Sequence, residues 1–249
     1  MINKEAINAL SRAEGLKPHQ EEKKYIQMLI LRALSTDYVS SLIFKGGTAL
    51  FLLYGLSRFS EDLDFTTGKD LDFTTLLRRV SKTLELTGVK NSTTISDNTS
   101  NFSGRIKAYG PLYTKEINAC FVKIDISQRE KVELKPNFTE INGNFPDILP
   151  FSILNMNETE ILAEKIRAIM TRDQARDIYD LYFLLNKNIK IDLRLVDKKL
   201  LYYKIKFTKD TFIKSLTKKE GIWKQELNPF IIGNIPELND VIKKIIGSL

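Results

Sequence analysis

One segment constrains this chain more than any other: Phe44–Phe65, FKGGTALFLLYGLSRFSEDLDF. A double glycine precedes an apolar, helix-like run, and the segment closes on two carboxylates, Asp62 and Asp64, spaced D-x-D. On an extended strand alternate side chains share a face, so Asp62 and Asp64 point the same way. Two acids side by side repel each other unless a cation sits between them. Upstream, glycines let backbone amides approach a phosphate, and a helix start offers further unsatisfied N–H groups. These are the parts for holding a metal-bound nucleoside triphosphate. The phosphate-side candidates are Lys45, Gly46, Gly47 and Thr48, the last through its hydroxyl. The turn is not a Walker A loop, because the G-K-[ST] ending is absent. Arg58 and Ser60 precede the two acids. Arg58 either forks onto a phosphate or pairs with Glu61 or Asp62 at the surface.

The surrounding pattern reads as a mixed α/β half followed by a helical half, with a boundary near residue 150. Residues 19–35 carry a charged start and an apolar end, a helix begun by Pro18. VSSLIFKGG reads as a short buried strand entering the glycine turn, TALFLLYGL as a helix ending near Gly55, and EDLDFTT as the next strand. Leu71, Leu76, Leu77, Val80 and Leu84 have helical spacing, with Asp70 as the expected N-cap. Residues 89–104 are polar and read as strand edges and loop, and RIKAYGPL and NACFVKIDIS as two further strands. Pro136, Pro146 and Pro150 mark residues 131–156 as a connector. Beyond it come NETEILAEKIRAIMTR, DQARDIYDLYFLLNK, DLRLVDKKLLYYKIK, TKDTFIKSLTKKE and ELNDVIKKIIGS, each with a helical texture.

Asp125 is a third acid of interest. It alternates with Ile124 and Ile126 in KIDIS, which leaves two readings open: a surface-strand acid facing out with Lys123, or a third carboxylate on the same sheet edge as Asp62 and Asp64. Three converging carboxylates suit one or two Mg²⁺ ions. A second constellation comprises Lys165, Arg172, Arg176, Asp177 and Asp180. Lys165 lies at the edge of the stripe Ile161, Leu162, Ile166, Ile169, where it either snorkels or reaches a phosphate. Arg176 and Asp180, four apart, read as an i,i+4 pair, and Asp177 as a partner for Arg172. Read from residues alone, this cluster is more structural than functional.

Composition narrows the classes. A chain of 249 residues is long enough for a sizeable core. It contains no run of about 18 uncharged apolar residues, so no membrane span is expected, and MINKEAINALSRAEG has no apolar signal region. A single cysteine excludes an internal disulfide and fits a reducing cytoplasm. A single histidine argues against a zinc site or a Ser-His-Asp triad. The net charge of +7 favours a polyanionic partner weakly. The lysines of the last third read either as solvated helix faces or as a surface for a nucleic-acid backbone.

Taken together, FKGGTALFLLYGLSRFSEDLDF resembles the first motif of the AbiEii/AbiGii toxin family, a branch of the polymerase-β-like nucleotidyltransferases. It has that motif's G-G-T-A-L start and R-x-S/T-x-D-x-D end. AEKIRAIMTRDQARDIYDLYFLL is similar to the family's lysine motif followed by R-D-x-x-D-L. The matched segments span roughly residues 20–186. The resemblance implies an α+β nucleotidyltransferase fold with a helical C-terminal part that contributes Lys165 and Asp180. It implies Asp62, Asp64 and Asp125 as metal ligands and catalytic residues together with Lys165 and Asp180. It places Lys45, Gly46, Gly47, Thr48, Arg58, Ser60 and Arg176 on the nucleotide. It further implies Mg²⁺ or Mn²⁺ as cofactor, an NTP as substrate, the 3′ end of a tRNA as acceptor, and an antitoxin as partner in a type IV toxin–antitoxin or phage-defence system. A small-molecule or protein acceptor, or a non-catalytic binding module, stays open as an alternative.

Overall fold

The computed structural model describes residues 1–38, 40–68, 70–98 (backbone only at 97 and 98) and 101–249. They form two compact units. The first comprises Met1–Leu53, Phe59–Lys131 and Pro136–Asn155, and the second Tyr54–Arg58, Val132–Lys135 and Met156–Leu249. The division falls at 155 rather than near 150, because Phe151–Asn155 is a strand of the first unit's sheet.

The first unit is built on a mixed sheet. Its strands are β1 (Ile43–Lys45), β2 (Leu63–Thr66), β3 (Lys90–Asn98), β4 (Asn101–Tyr109), β5 (Cys120–Ser127), β6 (Asn137–Ile141) and β7 (Phe151–Asn155), in the order β3-β4-β5-β2-β1-β7-β6. β2 runs parallel to β5 and β1 parallel to β7, and the other pairs are antiparallel. Helices α1 (Lys4–Glu14), α2 (Pro18–Tyr38), α3 (Gly46–Tyr54) and α4 (Phe73–Leu86) complete the set. Strand alternation decides the core: Val122, Ile124 and Ile126 of β5 are buried with Leu63 and Phe65 of β2, in one cluster with Tyr25, Ile26, Leu29 and Ile30 of α2 and Leu76, Leu77 and Val80 of α4. Asp72, not Asp70, caps α4, accepting a 3.0 Å hydrogen bond from Thr75 N.

Two regions read as irregular are in fact strands. Residues 89–104 enter a long hairpin of β3 and β4, its tip at 99 and 100 lying outside the described residues. The supposed connector contains β6 and β7. Pro136 and Pro150 stand immediately ahead of those strands, where a missing N–H breaks no ladder. The prolines marked strand starts, not a linker.

The second unit is helical: α5 (Glu158–Thr171), α6 (Ala175–Asn186), α7 (Leu193–Leu201), α8 (Lys209–Thr217), α9 (Trp223–Leu227) and α10 (Leu238–Gly247). Apolar stripes meet in its interior, where Ile166, Ile178, Leu181, Leu200, Phe212, Leu216 and Val241 are buried. Several of its lysines are paired inside the unit. Lys199 and Lys219 are buried, and Lys187, Lys198, Lys218 and Lys224 sit on Glu158, Glu133, Asp173 and Glu237. Part of the basic composition of the last third is therefore paired within the unit, while Lys190, Lys204, Lys206, Lys209, Lys214 and Lys244 are exposed. No helix among the described residues is long and apolar enough to cross a membrane.

Candidate active site

In the first unit the sheet register brings the acids together. Asp64 pairs with Asp125 across the parallel β2–β5 ladder, so their side chains stand on the same face of neighbouring strands. Asp62 lies one residue before β2, two positions from Asp64. Asp125 thus shares an edge with the D-x-D pair and also a face with Lys123, so features of both its readings are present. On the other side of β2, Lys45 is the register partner of Asp64. Directly after Lys45 the chain turns through Gly46, at φ +77°, into α3. A Cβ on Gly46 would stand 2.4 Å from Asp64 Oδ2, so glycine is required both by the left-handed backbone and by the closeness of that carboxylate. Gly47 and Thr48 occupy the first turn of α3, whose leading N–H groups have no partner within the helix.

Two polar side chains fix the acidic segment from behind. Thr48 is fully buried, and its hydroxyl donates to the carbonyl of Asp62. Expected to bond a phosphate oxygen, Thr48 instead ties α3 to the backbone that carries the acids. Gln27, buried on α2, donates from Nε2 to the carbonyls of Ser60 (3.0 Å) and Glu61 (2.8 Å). Ser60 is itself buried. Sequence reasoning missed Gln27; the signal was a lone amide within the apolar run YIQMLIL.

Carboxylates crowd this edge. Displacement of water by surrounding protein pushes the Asp62 carboxyl above its usual range; Lys123 opposes the rise, while Glu61 and Asp125 add to it. Asp125 accepts a 2.6 Å hydrogen bond from Ser103 Oγ and a 2.7 Å ion pair from Lys123. Partial burial works against the charge of Lys123, yet its bond to Asp125 and the fields of Asp125, Asp62 and Asp64 hold its pKa above the ordinary value. Lys123 thus lies in the field of all three carboxylates. Among the described residues no three acidic, cysteine or histidine side chains stand close enough to hold a metal ion as placed. The donor set itself is all oxygen, which suits a hard divalent cation, and the Lys123 ammonium already sits on Asp125 in the field of Asp62 and Asp64. By that test the residues fit such an ion, with Lys123 as its stand-in.

The second unit handles the same residue types differently. Arg58 forks onto Asp180, Nε to Oδ1 and Nη2 to Oδ2, both at 2.6 Å. Lys165 Nζ lies 2.6 Å from Asp180 and 3.0 Å from Asp177. Arg172 closes the set with bonds of 2.8 and 2.9 Å to Asp177. Both acids, Arg58 and Lys165 are buried. Burial opposes ionisation of Asp180, but Arg58 and Lys165 overcome it and hold its pKa below the usual range. Asp177 is held low likewise by Lys165 and Arg172. Arg58 thus pairs with Asp180, and Lys165 does not snorkel. Arg176 does not supply Asp180's ion pairs; its guanidinium lies 5.1 Å from the Phe230 ring. The strand-like bridge Arg58–Ile231 and the bond from Ile232 N to the Ser57 carbonyl anchor the backbone here.

Comparison with known proteins follows the same outline. A sequence model described as "Nucleotidyl transferase AbiEii toxin, Type IV TA system" matches residues 30–243. A search of curated proteins gave no match. Among solved structures, MenT4, a nucleotidyltransferase toxin from Mycobacterium tuberculosis, superposes with a TM-score of 0.69 at 18% identity, covering 100% of this chain and 91% of that one. A candidate nucleotidyltransferase from H. pylori gives 0.65 at 23% identity, over 94% of each chain. JHP933 from Helicobacter pylori gives 0.64 at 22%, over 94% of this chain and 91% of that one. At these identities the three structures speak to the fold.

Proposed function

The chain belongs to the AbiEii family of nucleotidyltransferases, the toxins of type IV toxin–antitoxin systems, and on that premise we propose that it moves a nucleotide from an NTP to RNA, at the 3′ end of a tRNA. The observation that carries this reading is the register pairing of Asp64 with Asp125 beside Asp62, next to a glycine turn that opens a helix. In the reaction the acceptor's 3′ oxygen forms a bond to the α-phosphorus, and the bond from that phosphorus to the bridging oxygen breaks. Pyrophosphate leaves with the electron pair, and the hydroxyl proton passes to Asp125 or to water. Asp62, Asp64 and Asp125 would hold Mg²⁺ or Mn²⁺, which supplies neutralising charge for the triphosphate and its leaving group. Gly46, Gly47 and the first turn of α3 direct N–H groups at phosphate oxygens, with Lys45 adding a point charge. Catalysis is then mostly positioning and charge stabilisation. Thr48, Ser60 and Gln27 act as positioning residues. Lys165, Asp180, Arg58 and Arg176 would act from the helical unit as positioning residues. An antitoxin is the regulatory partner and the cytoplasm the compartment.

The test is incubation of the purified protein with labelled NTPs, Mg²⁺ and total tRNA. We expect label in RNA, its loss on RNase treatment, and its absence with Asp64→Ala. Label that resists RNase would move the acceptor to a protein or small molecule. Equal labelling by wild type and Asp62→Ala would overturn the reading.

A further inference from the structure

We propose that the open face of strands β3, β4 and β5 holds the single-stranded end of the RNA acceptor, with a backbone phosphate on Arg105 and a base stacked on Phe121. This rests on the reading of the chain as an RNA-directed nucleotidyltransferase. The register defines the face. Asp125 pairs with Ser103, Lys123 with Arg105 and Phe121 with Lys107 across β5–β4, and Arg105 and Lys107 pair with Thr94 and Ser92 across β4–β3. Directly opposed residues share a side, so these groups form one surface. The reverse side carries Ile106, Ala108, Val122, Ile124 and Ile126, all in the core.

The charge of this face is ordered. Its one acid on these strands is Asp125, in the row of the carboxylate cluster. Moving along β5 away from that row come Lys123 with Arg105, then Phe121 with Lys107, then Lys90 beside Tyr109. Lys123 is committed to Asp125, and Lys107 to Glu116. Arg105 is exposed and pairs with no carboxylate among the described residues; its guanidinium lies 5.9 Å from the Phe121 ring centroid. Phe121 is 43% exposed on an otherwise polar face. An exposed ring beside an uncommitted arginine matches a strand that offers both base planes and phosphates. A duplex hides its base planes, so the chemistry selects single strands. Phe121 lies four residues from Asp125, about 13 Å along an extended strand. A chain with one base on Phe121 therefore reaches the carboxylates within a few nucleotides, which is where a 3′ hydroxyl is needed.

The test is fluorescence anisotropy of the full-length protein with a labelled single-stranded RNA and with a duplex of the same sequence, over a series of KCl concentrations. Wild type should prefer the single strand. Phe121→Ala should weaken binding about tenfold while leaving the salt slope unchanged. Arg105→Gln should weaken it and lower the slope of log K against log salt by about 0.7, one phosphate contact on a single strand. Lys214→Gln, a charge change in the helical unit, should bind as wild type, and melting temperatures should confirm that every variant is folded. If both face variants bind RNA like wild type, the surface is wrong, and undiminished transfer by them would leave the proposed activity standing. Equal affinity for duplex, or no binding of RNA by wild type, also overturns it. Loss of RNA binding in the variants of a wild type that binds but transfers no nucleotide would keep the surface and sink the activity. Protection of Phe121 only by a protein partner would assign the face to that partner instead.

Discussion

The two units carry the same kinds of charged side chain in opposite states. At the sheet edge Asp62, Asp64 and Asp125 lie in the field of Lys123, and Asp62 is held above its usual pKa. Between α5 and α6, Asp177 and Asp180 are met by Lys165, Arg58 and Arg172, and both acids are held low. A carboxyl held above its usual pKa by burial and neighbouring acids gains from the arrival of a cation. A fully compensated, buried network is finished and holds the structure in place. The difference separates a site from a scaffold more sharply than residue type does.

Removing Asp180 should give the largest effect on stability. Asp180→Ala leaves Arg58 and Lys165 buried without their shared partner, a loss of about 3–5 kcal/mol, read as a lower urea midpoint. Asp64→Ala should change that midpoint little while removing activity. If the two variants lose stability equally, the contrast between site and scaffold fails. Arg58 lies only four residues ahead of Asp62 in the chain, so Asp180→Ala should reduce transfer as well.

Glu21 tests an intermediate case. It is as buried as Asp180, but neither oxygen accepts a hydrogen bond and Lys24 stays 3.6 Å away. Burial pushes its pKa up to about 7. The folded state therefore binds the proton more tightly than the unfolded one. That contribution is complete below the unfolded pKa and is lost as pH rises through about 7. Between pH 5 and 8 the loss should reach about 2–3 kcal/mol, and Glu21→Gln should flatten the pH dependence of unfolding. Asp177 and Asp180 work with the opposite sign: their stabilisation is present above the ordinary carboxylate range and is lost only as pH falls through their depressed values. A profile that rises from pH 5 to 8 would contradict the assignment to Glu21.

Smaller effects refine the site itself. Gly46→Ala forces a left-handed residue to carry a Cβ and displaces the Asp64 carboxylate. We expect about 1–3 kcal/mol of strain and a drop in transfer larger than that stability loss explains; full activity would remove Gly46 from the site. The smallest effect is Lys123→Met. Removing the resident ammonium should tighten Mn²⁺ binding, followed by electron paramagnetic resonance, by roughly two- to tenfold at an exposed position. Weaker binding would show that Lys123 supports the cation rather than standing in its place.

Much of the fold was legible locally. The alternation of β5, the helical spacing of α4 and α5 and the glycine turn into α3 all stand where residue pattern puts them. β6 and β7 were not legible, because prolines that precede a strand look the same in sequence as prolines in a linker. At the site, the D-x-D pair and Gly46 were readable because neighbouring residues along one strand or turn determine them. Gln27 was not, since a buried amide has no local mark of what it touches.

The sequence by itself determined the local chemistry: two acids on one side of a short strand, a turn that only glycine fits, and a helix rich in paired charges. Only the tertiary structure decided which charges meet. Parallel pairing of β2 with β5 set Asp64 beside Asp125, where a shift of one residue would have sent Asp125 to the opposite face. Packing gave Arg58 a partner 122 residues away, Asp180. Local pattern fixes the direction in which a side chain points, but register and packing fix its partner, and at this site the partner decides whether a carboxylate is scaffold or ligand.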